Sequence, residues 1–156
     1  MSTTPKPIPD GYHSVTPYLI IKGAARALDF YQRAFGATEL MRLPSPGDQI
    51  GHAEILLGGS HIMLADECPQ MNALSPQTIG GTPVLLHLYV PDADALFAQA
   101  IAAGATVEQP MENKFYGDRS GSVLDPFGHR WTLSTHIEDV SPEEIGRRMA
   151  AMGQQA

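Results

Sequence analysis

The sequence predicts an α+β fold of two tandem βαβββ units, forming a curved mixed sheet around a cleft and followed by a C-terminal helix. Three observations carry this. Gly-Ala-Thr closes a helix-like stretch twice, at 36–38 and 104–106, an offset of 104 − 36 = 68 residues. Gly47-Asp48 and Gly58 then recur as Gly117-Asp118 and Gly128, an offset of 117 − 47 = 128 − 58 = 70, so one two-residue insertion reconciles the copies. Within each copy an apolar β-prone run precedes the helical stretch, and Gly- and Pro-punctuated short strands follow it.

Each element has its own reason. Residues 1–12 hold three prolines in their first ten positions and no periodicity, which reads as a flexible arm. The first unit spans 13–66. His13 to Gly23 is rich in β-branched and aromatic residues and ends on Gly; Pro17 inside it lacks an N–H and so belongs at an edge or a strand start. In Ala24 to Phe35, Ala27, Phe30, Tyr31 and Ala34 fall at i, i+3, i+4 and i+7, the apolar stripe of a helix that Gly36 ends. Residues Ala37–Arg42, Gly51–Leu57 and His61–Ala65 are strand candidates, with Pro46-Gly47 and Gly58-Gly59 as turns. Residues 67–82, with Pro69, Asn72, Pro76 and Gly80-Gly81, read as a linker. The second unit spans 83–136, with a strand at Val84–Val90 and a helix from Asp92 to Ala103 whose acidic first turn suits its dipole. In the tail, 137–156, Ser141, Pro142 and Glu144 start a capped helix predicted to bury Ile145, Met149 and Met152.

Composition excludes several classes. The chain has 156 residues, 43% of them hydrophobic, which suits a globular domain. Its net charge of −7, with ten Lys and Arg scattered along the chain and only Arg147 and Arg148 adjacent, gives no cationic track for nucleic acid. No apolar run approaches the ~20 residues that cross a bilayer, so no membrane partner is expected. A lone cysteine, Cys68, predicts a reducing, cytoplasmic setting; it follows Asp66 and Glu67, which disfavour its thiolate, so it is not read as a nucleophile. No Ser-His-Asp order, nucleophile elbow or phosphate-cradling loop occurs.

Paired βαβββ units, a DFYQRAFG helix (29–36) and a DPFGHRWTL hairpin (125–133) together resemble the vicinal oxygen chelate superfamily, which includes glyoxalase I, extradiol dioxygenases, fosfomycin-resistance enzymes and bleomycin resistance proteins. Within it, TPYL (16–19), GHAEI (51–55), FYGDRSG (115–121), LDPFGHRW (124–131) and STHIEDVS (134–141) are similar to the PhnB-like branch. The resemblance covers residues 13 to 140. It implies a ligand cleft between the halves and a homodimer, with the edge near Pro17 as a seam.

Metal-dependent members place a ligand early in the first strand of each unit and another in its last strand. Carried over, those positions are Thr16, Val84 or Leu85, Ile62 or Met63, and Thr132. None offers the imidazole or carboxylate donors a divalent ion needs. The expected cofactor is therefore none, and the expected function is metal-independent sequestration of an apolar or aromatic small molecule. The alternative is a lyase, isomerase or dioxygenase whose divalent metal (Zn, Ni or Fe) sits on His52, Glu54 and His87.

Candidate ligand-binding residues are Tyr18, His52, Glu54, His87, Tyr89, Tyr116 and Arg119. His52 and Glu54 share a strand face at i, i+2. Tyr18, His87 and Tyr89 lie on the two leading strands. Tyr116 and Arg119 combine an aromatic face with a forked cation suited to an anionic or planar ligand. Trp131, of opposite parity to Thr132, is expected to pack under a helix.

Overall fold

The computed structural model describes residues 4–154, so residues 1–3 of the expected arm and 155–156 of the tail lie outside the described residues. The first unit runs β1 (Tyr18–Ile21), α1 (Ala24–Phe35), β2 (Thr38–Ser45), β3 (Gln49–Leu57) and β4 (Ser60–Asp66). A 3-10 turn at Pro69–Met71 and a four-residue helix α2 (Pro76–Ile79) occupy the linker. The second unit repeats the order as β5 (Leu85–Tyr89), α3 (Ala93–Ala103), β6 (Thr106–Asn113), β7 (Asp118–Leu124) and β8 (Arg130–His136). Helix α4 (Pro142–Gly153) closes the chain.

The strands form two four-stranded mixed sheets with the same topology, β1-β4-β3-β2 and β5-β8-β7-β6. In each, the leading strand pairs parallel to the last, and the other neighbours are antiparallel. β1 and β5 each keep one edge without ladder partners, so the curved sheet expected from sequence is interrupted by a seam. The outer strands β2 and β6 both carry register shifts and one proline each, Pro44 and Pro110.

Alternation sorts each sheet into a helix face and an open face. Leu19, Ile21, Ala53, Ile55, Ile62 and Leu64 turn from the first sheet into one continuous core with Ala27, Phe30, Tyr31 and Ala34, the whole stripe predicted for α1. Val123, Trp131 and Leu133 of the second sheet join that core, and α1 packs on α3. Trp131 is buried under helix α1, stacked obliquely on Phe35 at 4.7 Å between ring centroids. The helices therefore share one interior, and the two open faces look outward from it.

Two acids hold this arrangement. Asp66, at the end of β4, accepts from the backbone N–H groups of Gly23 and Ala24 at 2.9 Å and of Ile50 at 2.7 Å, capping α1 from across the sheet. Asp125, only 3% exposed, accepts from the Tyr31 hydroxyl (2.6 Å), Trp131 Nε1 (2.9 Å) and the backbone N–H groups of Phe127 (2.8 Å) and His129 (3.0 Å). Burial, followed by the nearby Asp125 charge, drives the Tyr31 phenol well above its usual range, so it stays a donor.

Three expectations from sequence differ. β1 begins at Tyr18 rather than near His13, because Pro17 contributes only its carbonyl, which accepts from Met63 N at 3.0 Å. The linker is partly ordered: Ser75 caps α2, and its backbone N–H donates to Glu67 at 2.6 Å. Helix α4 starts at its predicted cap, Ser141, but buries none of its residues; Met149 and Met152 are exposed. What anchors α4 is charge: Arg148 donates to the Phe115 carbonyl at 2.9 Å and to Glu138 at 2.8 Å.

Replacing Asp125 by Ala strands the Tyr31 and Trp131 donors in the core. Urea denaturation should then report a loss of about 3–5 kcal/mol, each buried orphan donor costing roughly 1–3 kcal/mol. Tyr31→Phe, which removes one donor and its hydrogen bond together, should cost about 1 kcal/mol by the same measurement.

Candidate functional site

The open face of the first sheet carries a relay of polar side chains. Register places Tyr18, Met63, Glu54 and Met41 side by side across the four strands. His52, two residues from Glu54 on β3, lies on the same face. The Tyr18 hydroxyl bonds His52 Nδ1 at 2.8 Å, and His52 Nε2 bonds Glu54 Oε1 at 3.1 Å. With Nε2–H donating to the carboxylate, Nδ1 is left to accept from the phenol, so both ring nitrogens are used.

The chain before β1 completes the relay. The Tyr12 hydroxyl donates to Glu54 Oε2, and its ring stacks on His61 with centroids 3.9 Å apart and planes at 24°. The hydrogen bond from Tyr12, with that from His52, holds the Glu54 carboxyl below its usual value. The same bond raises Tyr12, and burial raises Tyr18, so at neutral pH the face presents an ionised acceptor among protonated phenols. His61 Nδ1 is buried without a hydrogen-bonding partner.

The second sheet's open face is built on the same register with different residues. His87, Thr132 and Ser122 lie side by side, as do Tyr89, Ser134 and Ser120. Ser134 donates to Ser120 at 2.8 Å, and Ser122 bonds Thr132 at 3.1 Å. At one end Asp118, 2% exposed, accepts from Tyr89 at 2.6 Å and pairs with His136 Nδ1 at 2.8 Å; His136 Nε2 reaches Asp139 at 2.8 Å. The two carboxylates, Asp118 first, raise His136 above its ordinary value.

Two cavities flank the seam between β1 and β5. One, of about 250 Å³, is lined by His13, Thr16, His61, His87 and Trp131 among others; the second, of about 400 Å³, lies toward the linker against Tyr18, Leu74, Ile79 and His129. Pro17 and Leu86 line both.

Of the residues singled out from sequence, Tyr18, His52 and Glu54 are directly connected. His87 and Tyr89 sit together on the second sheet, ring centroids 4.7 Å apart. Tyr116 packs edge-on against Phe115 at 5.3 Å, in the loop before β7. Arg119 turns toward the helix side: its guanidinium forks onto Asp94 of α3 at 2.6 and 2.8 Å and reaches Asn113 at 3.1 Å, an engagement that fixes the loop. Gly117 beside it has φ 102°, and a Cβ there would lie 2.1 Å from the Glu138 carbonyl, so the turn requires glycine. Tyr12, His61 and His136 were not singled out from sequence, and Asp118 only as part of the repeated Gly-Asp turn. His61 shares the parity of Met63 on β4 and could have been found that way.

Among the described residues no three His, Cys, Asp or Glu side chains are grouped so as to hold a metal ion. The superfamily's chelating positions are no better supplied. Thr132 is hydrogen-bonded to Ser122, Ile62 is 5% exposed in the core, and Thr16, Met63 and Leu85 bring no imidazole or carboxylate. The donor set does not fit a divalent ion.

The sequence profile of the Glyoxalase/Bleomycin resistance protein/Dioxygenase superfamily matches residues 12–133, and the chain belongs to that superfamily. It is 43% identical over 143 residues to the uncharacterized protein Rv0887c of Mycobacterium tuberculosis, a match covering 90% of this chain and 84% of that protein. Among solved structures it is similar to TioX from Micromonospora sp. ML1, with 29% identity, a TM-score of 0.63, and coverage of 80% of this chain and 99% of that one. The Arabidopsis thaliana At5g48480 product is similar too, at 28% identity and a TM-score of 0.64, covering 79% and 98%. No helix among the described residues is long and apolar enough to cross a membrane.

NMR titration of His136 should give a pKa above its ordinary 6.5, because protonation gains two carboxylate partners. Its stabilising contribution is then fully present below pH ~6.5 and fades as pH rises through the raised folded value. Asp118→Asn should bring the His136 titration back toward 6.5.

Proposed function

We propose that this protein is a small-molecule binding protein of the PhnB-like type. It holds an apolar or aromatic ligand in the cleft at the seam and acts by sequestration, with no metal at the superfamily's chelating positions. The observation that carries this reading is the residue set at those positions: Thr16, Leu85, Met63 and Thr132 cannot chelate. Tyr18, His52, Glu54, His87 and Tyr89 instead offer flat faces and directed hydrogen bonds beside apolar walls, the usual make-up of a pocket for a small molecule. Lone, half-buried Cys68 suits a reducing cytoplasm.

The competing reading, a divalent ion on His52, Glu54 and His87 serving lyase, isomerase or dioxygenase chemistry, carries less weight. Both ring nitrogens of His52 are already bonded, to Tyr18 and Glu54, and a metal would have to displace one.

A second copy of the chain is the partner we assign to the open faces. Tyr18, Leu85 and Tyr89 are large, exposed and carried by β1 and β5 themselves, beside their unpaired edges. Light scattering after gel filtration should give twice the chain mass of 16.8 kDa.

Two measurements separate binding from metal catalysis. Elemental analysis of protein purified without chelator should find zinc, nickel and iron far below one equivalent; a stoichiometric ion lost in His52→Ala would overturn the proposal. In thermal denaturation with planar aromatic compounds, a ligand at about 100 times its Kd should add about 2.7 kcal/mol. That corresponds to a rise in Tm of roughly 5–10 °C for a chain of this size.

A further inference from the structure

Tyr12 is placed as a ligand would be. Its ring lies flat on the His61 imidazole, its hydroxyl donates to the Glu54 carboxylate, and it arrives from the arm rather than from either sheet. His61, beneath that ring, also lines the cavity of about 250 Å³ at the seam. The buried, unpartnered His61 Nδ1 is a polar atom that the docked arm leaves unsatisfied.

The arm's own hold is slight. Residues 4–11 are exposed, and among the described residues of the arm the only side-chain bond besides that of Tyr12 joins Lys6 to Asp10 at 2.6 Å, between two exposed groups. The turn that delivers Tyr12 depends on Gly11, which has φ 84°; a Cβ there would be strained and would meet His61 Nε2 at 3.2 Å. A stacked phenol on a tether with so few other attachments is a contact that a free molecule of the same chemistry can replace.

We propose that the Tyr12 phenol is an internal stand-in for the ligand. The molecule the cleft takes is a flat aromatic bearing a hydrogen-bond donor, a phenol or a ring N–H, which displaces Tyr12, stacks on His61 and donates to Glu54. This rests on the reading of the cleft as an aromatic-binding site and adds the ligand's donor and the competing arm. Apparent affinity is then reduced by the fraction of molecules with the arm docked, and removing the phenol restores it.

The test is a fluorescence titration of 2-naphthol against 2-methylnaphthalene, which has nearly the same shape and no donor. Wild-type protein, Tyr12→Ala, Tyr12→Phe and Gly11→Ala are compared, with circular dichroism verifying that each is folded. Tyr12→Ala should bind 2-naphthol about tenfold more tightly than wild type, the factor for an arm docked about nine-tenths of the time. Tyr12→Phe, which keeps the stack and loses the donor, should fall between them, and Gly11→Ala should also tighten binding. The gain for 2-methylnaphthalene should be clearly smaller, and Glu54→Leu combined with Tyr12→Ala, which removes the acceptor, should erase the preference for naphthol.

Equal or weaker 2-naphthol binding by Tyr12→Ala would overturn the stand-in role while leaving the aromatic cleft intact. Equal gains for both probes would overturn the requirement for a donor. Binding of neither probe to any form would overturn both this proposal and the reading on which it rests.

Discussion

A carboxyl group taken out of water costs several kcal/mol unless its lone pairs are met, and Asp125 is met on every side without a cation. Its partners come from both halves of the chain: the Tyr31 phenol from α1, and the Trp131 indole and two backbone N–H groups from the second unit's last hairpin. Those directed bonds leave α1 little freedom over the second sheet. With α1 fixed against α3, both sheets turn their helix faces inward, the edges of β1 and β5 approach, and the seam with its two cavities follows.

Duplication has kept the scaffold and changed the chemistry on it. Equivalent places across the two open faces hold Tyr18, Met63 and Glu54 in one unit and His87, Thr132 and Ser122 in the other. The first is a chain of phenol, imidazole and carboxylate; the second is a ladder of hydroxyls ending in a carboxylate-bound imidazole. These differences lie in side chains on the faces turned away from the helices. Packing under the helices therefore places little restraint on them.

The parts of this structure that were legible in the sequence are those governed by short-range periodicity. The stripe of α1, the Gly36 and Gly104 helix ends, the turn glycines and the burial of Trp131 all follow from spacing and parity. The His52–Glu54 pair was legible for the same reason, being two apart on one strand. Tyr12 was not, because an arm without periodicity finds its partner only through a contact 42 residues away. The hold of Arg119 on Asp94 is not legible either: it joins residues 25 apart, and alternation along β7 turns Arg119 to the face opposite its neighbour Asp118. The stripe of α4 is real as a pattern, but a pattern does not say whether anything lies opposite it.

β2 and β6 end the two sheets, and an intact, flat terminal strand is a template onto which other chains can add rung by rung. Both are interrupted by a shift in register, and both contain a proline, Pro44 and Pro110, that removes one rung's donor. The two rims are thus guarded independently, and each offers an incoming strand a ladder that is broken part-way along.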